Sequence, residues 1–179
     1  MKKEIILEGN GFTIRPYRKG DYISLSKNAN NKKLAKNLLN TFPSPYTEKD
    51  AKDWIKINQK FYKKGIYINF VIDVDGQAVG TIGGNIHKIE HVFGFGYWLG
   101  ENYWGKGIMS KVVKLYTDYI FRSFKKIIRI QAETFPWNVG SQKVLEKNGF
   151  KLEGVSRKSY IKDGKIIDNL NYSKLRNER

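Results

Sequence analysis

The sequence predicts an α/β chain built on a mixed, mostly antiparallel sheet with flanking helices, and three stretches predict it. Apolar residues alternate on both sides of Asp75-Gly76, the pattern of a tight hairpin. A strand from Phe93 to Leu99 is followed by a helix and then a strand from Ile127 to Thr134. That order makes a parallel pair joined by a crossover. The tail from Phe150 to Leu175 reads as strands broken at Lys162-Asp163-Gly164.

In chain order, Phe12 to Arg15 alternates like a short strand and stops at Pro16. Asp21 is the expected N-cap of a helix carrying Tyr22, Leu25 and Ala29. A second short helix is expected over Lys32 to Leu39, then a rigid loop from Thr41 to Tyr46 stiffened by Pro43 and Pro45. Thr47 and Asp50 form a capping-box-like pair, and Ala51, Trp54, Ile55, Asn58 and Phe61 mark one face of a helix ended by Gly65. Ile66, Ile68, Phe70, Ile72 and Val74 fall on one face of a strand, and Gln77 to Ile86 returns beside it. Ser141 to Lys147 is a short helix closed by Gly149.

Composition narrows the function classes. A chain of 179 residues with 40% hydrophobic content predicts one domain over residues 1–179 with a real core. It has no apolar run long enough for a bilayer and no leader pattern, so a soluble, untargeted, cytoplasmic protein is expected. Zero cysteines exclude a disulfide framework, a cysteine nucleophile and thiolate–zinc sites. The formal charge of +16 attracts polyanions, so contact with nucleic acid or the ribosome is one reading. The other is a solvated surface, because the lysines are spread along the chain and no RNA-binding aromatic string accompanies them. The string His87-Lys88-Ile89-Glu90-His91 matches a zinc-protease pattern. That chemistry needs a helix, whereas this string lies in a loop between two glycine-rich strands, so no metal is expected.

Between the Phe93 strand and the helix stands Gly105-Lys106-Gly107. From Ile108 on, Val112, Leu115, Tyr116, Tyr119 and Ile120 form a helical stripe. A helix start presents unpartnered N–H groups and a partly positive dipole end, and backbone without side chains approaches a phosphate closely. A plain turn needing positive φ is the alternative. The GxxxxGK[ST] string of a P-loop is absent, and Ser110 stands where a dinucleotide fingerprint needs its third Gly or Ala.

The stretch Asn102-Tyr103-Trp104-Gly105-Lys106-Gly107 resembles the acetyl-coenzyme A signature Q/R-x-x-G-x-G/A of the GNAT superfamily of N-acetyltransferases, with Asn102 in place of the usual Gln or Arg. The wording around it is similar to the branch containing the ribosomal-protein N-terminal acetyltransferases. A second stretch, from Trp137 to Phe150, resembles that branch's N-x-x-S-x-x-x-L-E-K-x-G-F motif, and the resemblance runs from Phe12 to Leu175.

The resemblance implies two central parallel strands that splay at their carboxyl ends, with acetyl-CoA lying in the opening. It implies that backbone N–H groups of Trp104, Gly105, Lys106, Gly107, Ile108, Met109 and Ser110 bind the diphosphate. Trp98 and Leu99 would pair with the pantetheine arm, one N–H facing the thioester oxygen, which is often worth about 3 kcal/mol. Asn138 matches the residue that hydrogen-bonds pantetheine, with a helix N-cap as its other reading. Leu145 stands where many of these enzymes carry a proton-donating tyrosine, so Ser141, one helical turn earlier, is the candidate acid; a cap or backbone bond is its other role. Related sequences often carry Glu at the place of Gly94, which leaves Glu133 as the candidate base, directly or through water; a surface ion pair with a lysine is its other reading.

The expected activity is therefore acetyl transfer from acetyl-CoA to a primary amine by direct attack in a ternary complex. An α-amine is neutral in roughly one molecule per ten at neutral pH against about one per thousand for a lysine, so a weak base suits a protein or peptide N-terminus. The alternatives are a small-molecule amine acceptor (an amino acid, a polyamine or an antibiotic), and a non-catalytic basic RNA- or ribosome-binding module. A monomer and a homodimer are both compatible with the sequence.

Overall fold

The structure, a computed structural model, describes residues 5–64, 66, 68–87 and 90–178. The elements are β1 (Leu7–Gly9), β2 (Phe12–Arg15), α1 (Tyr22–Ala29), α2 (Lys32–Ala35), α3 (Glu48–Lys63), β3 (Asn69–Val74), β4 (Gln77–Ile86), β5 (Val92–Leu99), α4 (Ile108–Ser123), β6 (Arg129–Thr134), α5 (Val139–Lys147), β7 (Lys151–Lys162) and β8 (Lys165–Leu175). They form an eight-stranded sheet in the order β1-β2-β3-β4-β5-β6-β8-β7. The β5–β6 pair is parallel, while β1–β2, β2–β3, β3–β4, β6–β8 and β7–β8 are antiparallel. The mixed-sheet expectation therefore holds, including the crossover through α4.

The chain divides into two compact units, Met1–Gly83 with Tyr97–Val112, and Gly84–Gly96 with Val113–Arg179. In the first, Asp75 and Gly76 take φ of 51° and 78°, the double left-handed turn that joins twisted strands, as the letters Asp-Gly predict. Leu25, Ala51, Ile55, Val71, Ala78 and Trp98 pack in one core cluster. Phe70, Val71 and Ile72 are all fully buried, so β3 is covered on both faces rather than on one. Ile66 and Ile68 fall outside that strand, and Gly65 lies outside the described residues.

The capping box of Thr47 and Asp50 forms as expected. Asp21, by contrast, makes no side-chain cap for α1. Its carboxylate accepts two bonds of 2.8 Å from Arg15, which also donates to Asp73 at 2.7 Å. Burial explains the difference: Arg15 is 2% exposed, and a buried guanidinium draws in nearby carboxylates before a helix end can use them. The helix expected to reach Leu39 stops at Ala35, where Asn37 and Leu38 turn with bonds to Leu34 and Ala35 carbonyls.

In the second unit, Phe93 and Phe95 pack on Tyr116 of α4, and Phe95 also meets Phe150, at ring-centroid distances of 5.6–6.3 Å. Arg176, just after β8, donates to the carbonyls of Phe121 at 2.6 Å, Phe124 at 2.8 Å and Ile127 at 2.8 Å. One side chain thus takes up the Phe121 and Ile127 carbonyls and adds a second donor to that of Phe124, which also accepts from the Ile127 N–H at 3.0 Å. Asp163 and Gly164, at φ of 49° and 77°, make the terminal hairpin turn.

Candidate active site

In the first unit, β5 ends at Trp98 and Leu99, and a single 3-10 turn over Glu101–Tyr103 leads into Trp104. The Trp104 indole N–H donates to the Leu99 carbonyl at 2.6 Å, folding the turn back on the strand end. Glu101 accepts from Asn31 at 2.6 Å and from Lys33, and the Lys33 ammonium holds its carboxyl below the usual range. Gly80 must be bare here, because a Cβ would lie 2.4 Å from the Trp98 carbonyl oxygen.

Gly105 and Gly107 have φ of 73° and 72°, so the turn that needs positive φ is realised. A Cβ built at either meets nothing within 4 Å. Conformation therefore demands glycine, while the space beside the backbone stays open. The first bond into α4 runs from the Lys111 N–H to the Gly107 carbonyl at 3.3 Å, so the amides of Gly107, Ile108 and Met109 precede any helical acceptor. Open space, helix-start amides and the flanking Lys106 and Lys111 fit a diphosphate. Trp98, Leu99 and Met109 are buried, and Ile108 and Ser110 are half-buried.

In the second unit, the parallel ladder pairs Val92 with Arg129, Phe93 with Ile130 and Gly94 with Gln131, and no described rung follows although β6 continues to Thr134. Ile130, Ala132 and Thr134 are buried on one face of β6, which leaves Arg129, Gln131 and Glu133 on the other. That polar face opens on a cleft of ≈ 350 Å³ lined by, among others, Glu133, Glu153, Ser156 and Asn171.

Glu133 Oε2 accepts from Asn169 at 2.8 Å. Among the described residues it forms no ion pair with a lysine; burial and the Glu133 carboxylate push the Tyr160 phenol up. Asn138 is the N-cap of α5, its Oδ1 accepting from the Ser141 N–H at 3.2 Å, so the capping reading is realised. Its Nδ2 has no partner among the described residues and remains available to a ligand. Ser141 is half-buried in the first turn of α5, and Leu145 is fully buried.

His87 and His91 flank the connection between β4 and β5 rather than lying on a helix, and Lys88 and Ile89 lie outside the described residues. Among the described residues no three His, Asp or Glu side chains gather as metal ligands, and no helix is long and apolar enough to cross a membrane. Sequence reasoning missed that His87 folds back over Gly94, since only the hairpin geometry brings them together.

Arg129 and Glu153 form a two-point ion pair at 2.6 and 2.5 Å. Arg129 and the Ser173 hydroxyl hold the Glu153 carboxyl down to about 2. A lowered folded-state pKa adds stability above the usual carboxylate range, and that stability is lost as pH falls from there toward 2. The Glu153 side chain is 45% exposed, which screens the pair to below about 1 kcal/mol. Glu153→Gln is therefore expected to cost this small amount at pH 7 and nothing near pH 2, measured by denaturation at each pH.

A family model described as an acetyltransferase (GNAT) domain matches residues 12–151. The chain belongs to the GNAT acetyltransferase family. GNAT enzymes are acetyl-CoA-dependent N-acetyltransferases, so acetyl-CoA is the co-substrate of this chain. An uncharacterized N-acetyltransferase, p20, of Bacillus licheniformis is 34% identical over 139 residues, 75% of this chain and 78% of the relative. The probable N-acetyltransferase YjcK of Bacillus subtilis (strain 168) is 48% identical over 64 residues, which spans 36% of this chain and only 35% of that protein. A ribosomal-protein-serine acetyltransferase of Escherichia coli (strain K12) is 28% identical over 60% of each chain. Among solved structures, a ribosomal-protein-S5-alanine acetyltransferase from Vibrio fischeri superposes with a TM-score of 0.84 at 25% identity, covering 98% of this chain and 99% of its own. A ribosomal L7/L12 α-N-protein acetyltransferase in complex with coenzyme A shares the fold with a TM-score of 0.81 at 24% identity, over 96% and 98% of the two chains.

Proposed function

We propose that residues 1–179 act as a single domain transferring acetyl from acetyl-CoA to an α-amine, most simply the N-terminus of a protein or peptide. The observation that carries the reading is the positive-φ pair Gly105 and Gly107 opening α4 onto unobstructed space. The backbone amides from Gly105 to Ser110 hold the diphosphate, the Trp104 amide expected to join them being taken by the Glu101 carbonyl at 3.0 Å, and the Trp98 and Leu99 backbone aligns the pantetheine arm. Bound acetyl-CoA supplies an acetyl group activated as a thioester. The Nδ2 of Asn138 hydrogen-bonds the arm while its Oδ1 caps α5. Ser141 gives a proton to the departing sulfur, and Glu133, free of any lysine partner among the described residues, receives a proton from the amine.

A carboxylate is a weak base, so it matches an amine that is already partly neutral, as an α-amine is. The ribosomal-protein acetyltransferases among the relatives support the same acceptor class. The test is a panel of acceptors followed by free-thiol release. Peptide α-amines are expected to outperform lysine side chains and polyamines, and Glu133→Gln and Ser141→Ala are each expected to lower kcat about tenfold or more. Preference for ε-amines or polyamines over every α-amine would reject the acceptor class, and unchanged turnover in either variant would remove that residue.

A further inference from the structure

Strand β5 has no side chain at Gly94, and the imidazole of His87 lies over the gap. A Cβ built at Gly94 would sit 2.7 Å from His87 Nε2 and 3.3 Å from its Cδ2. Gly94 and Gln131 are the last described rung of the parallel ladder, and the Gln131 Nε2 lies 3.3 Å from His87 Nε2. The opposite edge of that amide fixes its orientation, because Arg129 Nε approaches Gln131 Oε1 at 3.4 Å. A guanidinium has only donors, so it selects the amide oxygen and turns the NH2 group toward the imidazole. Arg129 is itself held by both oxygens of Glu153. His87 Nε2 is thereby assigned as the accepting nitrogen, with its hydrogen on Nδ1.

At 3.3 Å the Gln131 contact is long, and an ammonium N–H makes a shorter and roughly twice stronger bond to the same lone pair. Glu133 stands on the same face of β6, two residues beyond Gln131 and about 7 Å along the strand. The charged groups beside Gln131 are thus Arg129 and Glu133 on the same face of β6, with Glu153 of β7 on Arg129, while Glu90 in the loop after His87 pairs with Lys126.

We propose that His87 is a catalytic residue that takes the first of the two protons an acceptor ammonium must lose. The proposal rests on the α-amine reading above. One N–H bond of the –NH3+ group breaks, its electron pair stays on nitrogen as the nucleophilic lone pair, and the proton bonds to His87 Nε2. The resulting imidazolium, exposed on its loop, returns that proton to water. The second proton, shed as the nitrogen becomes an amide, goes to Glu133. Imidazole suits the first step because it is the side chain that exchanges protons near neutral pH without a large driving force.

The experiment compares wild type, His87→Gln, Gly94→Ala and the double variant with a peptide α-amine. It reads kcat, KM, the pH profile of kcat, and acetyl-CoA affinity by calorimetry. His87→Gln is expected to lower kcat at least about tenfold, to erase the acid limb of the pH profile, and to leave acetyl-CoA affinity unchanged. Gly94→Ala places a methyl where the imidazole rests and is expected to reproduce the loss, with no further loss in the double variant. A His87→Gln enzyme with wild-type kcat and an intact acid limb overturns the proposal, as do additive losses in the double variant. A wild-type protein that binds acetyl-CoA yet acetylates no α-amine brings down the acceptor reading itself, and the two failures are told apart by that wild-type measurement.

Discussion

Gly107→Glu is expected to weaken acetyl-CoA binding about a thousandfold while the protein still folds. Two effects add. At a φ of 72° any L side chain costs about 1–2 kcal/mol, so the turn relaxes and its amides lose their aim. A carboxylate within about 6 Å of a diphosphate adds about 3 kcal/mol of repulsion at the effective dielectric of a protein surface. Together these approach 4 kcal/mol, which is about three decades of affinity. Gly107→Ala separates them: a methyl there meets nothing within 4 Å, so only the backbone effect remains and the loss is about tenfold. Calorimetric titration with acetyl-CoA checks both variants, and an affinity for Gly107→Glu within a few-fold of wild type would put the diphosphate somewhere else.

The second large effect concerns stability. Arg15→Met is expected to cost about 3–5 kcal/mol, because it strands Asp21 and Asp73 inside the protein without a cation. Those two residues are 6% and 7% exposed, so water cannot take the place of the guanidinium. A typical domain holds only about 5–15 kcal/mol in reserve, so this variant would approach the unfolding threshold. Urea denaturation at pH 7 measures it, and a loss below about 1 kcal/mol would mean that the carboxylates find other partners.

Local chemistry was legible in the letters wherever one short stretch carries the whole instruction. Asp75-Gly76 specifies its turn because both positions need positive φ, and Thr47 with Asp50 specifies a helix start because both bonds lie within one turn. The same holds for Gly105 and Gly107. What escaped was decided by partners far along the chain. Asp21 has the sequence context of a cap, but its carboxylate accepts from Arg15 and from the Arg18 N–H, and what buries that Arg15 is its second partner Asp73, 58 residues on. His87 looked like an ordinary loop residue, since its contact with Gln131 spans 44 positions and depends on how the hairpin folds back. Asn138 lay between these cases: its cap was readable from spacing, and its spare Nδ2 only from geometry.

The clasp made by Arg176 has a temporal side. The carbonyls of Phe121, Phe124 and Ile127 are synthesised 49–55 residues before the guanidinium that satisfies them. Until Arg176 is in place the Phe121 and Ile127 carbonyls lack this donor, while that of Phe124 keeps the Ile127 N–H. Maturation of this part of the chain is thereby coupled to completion of its last strand, and an elongating chain stalled before residue 176 would present proteases with an unfastened helix end.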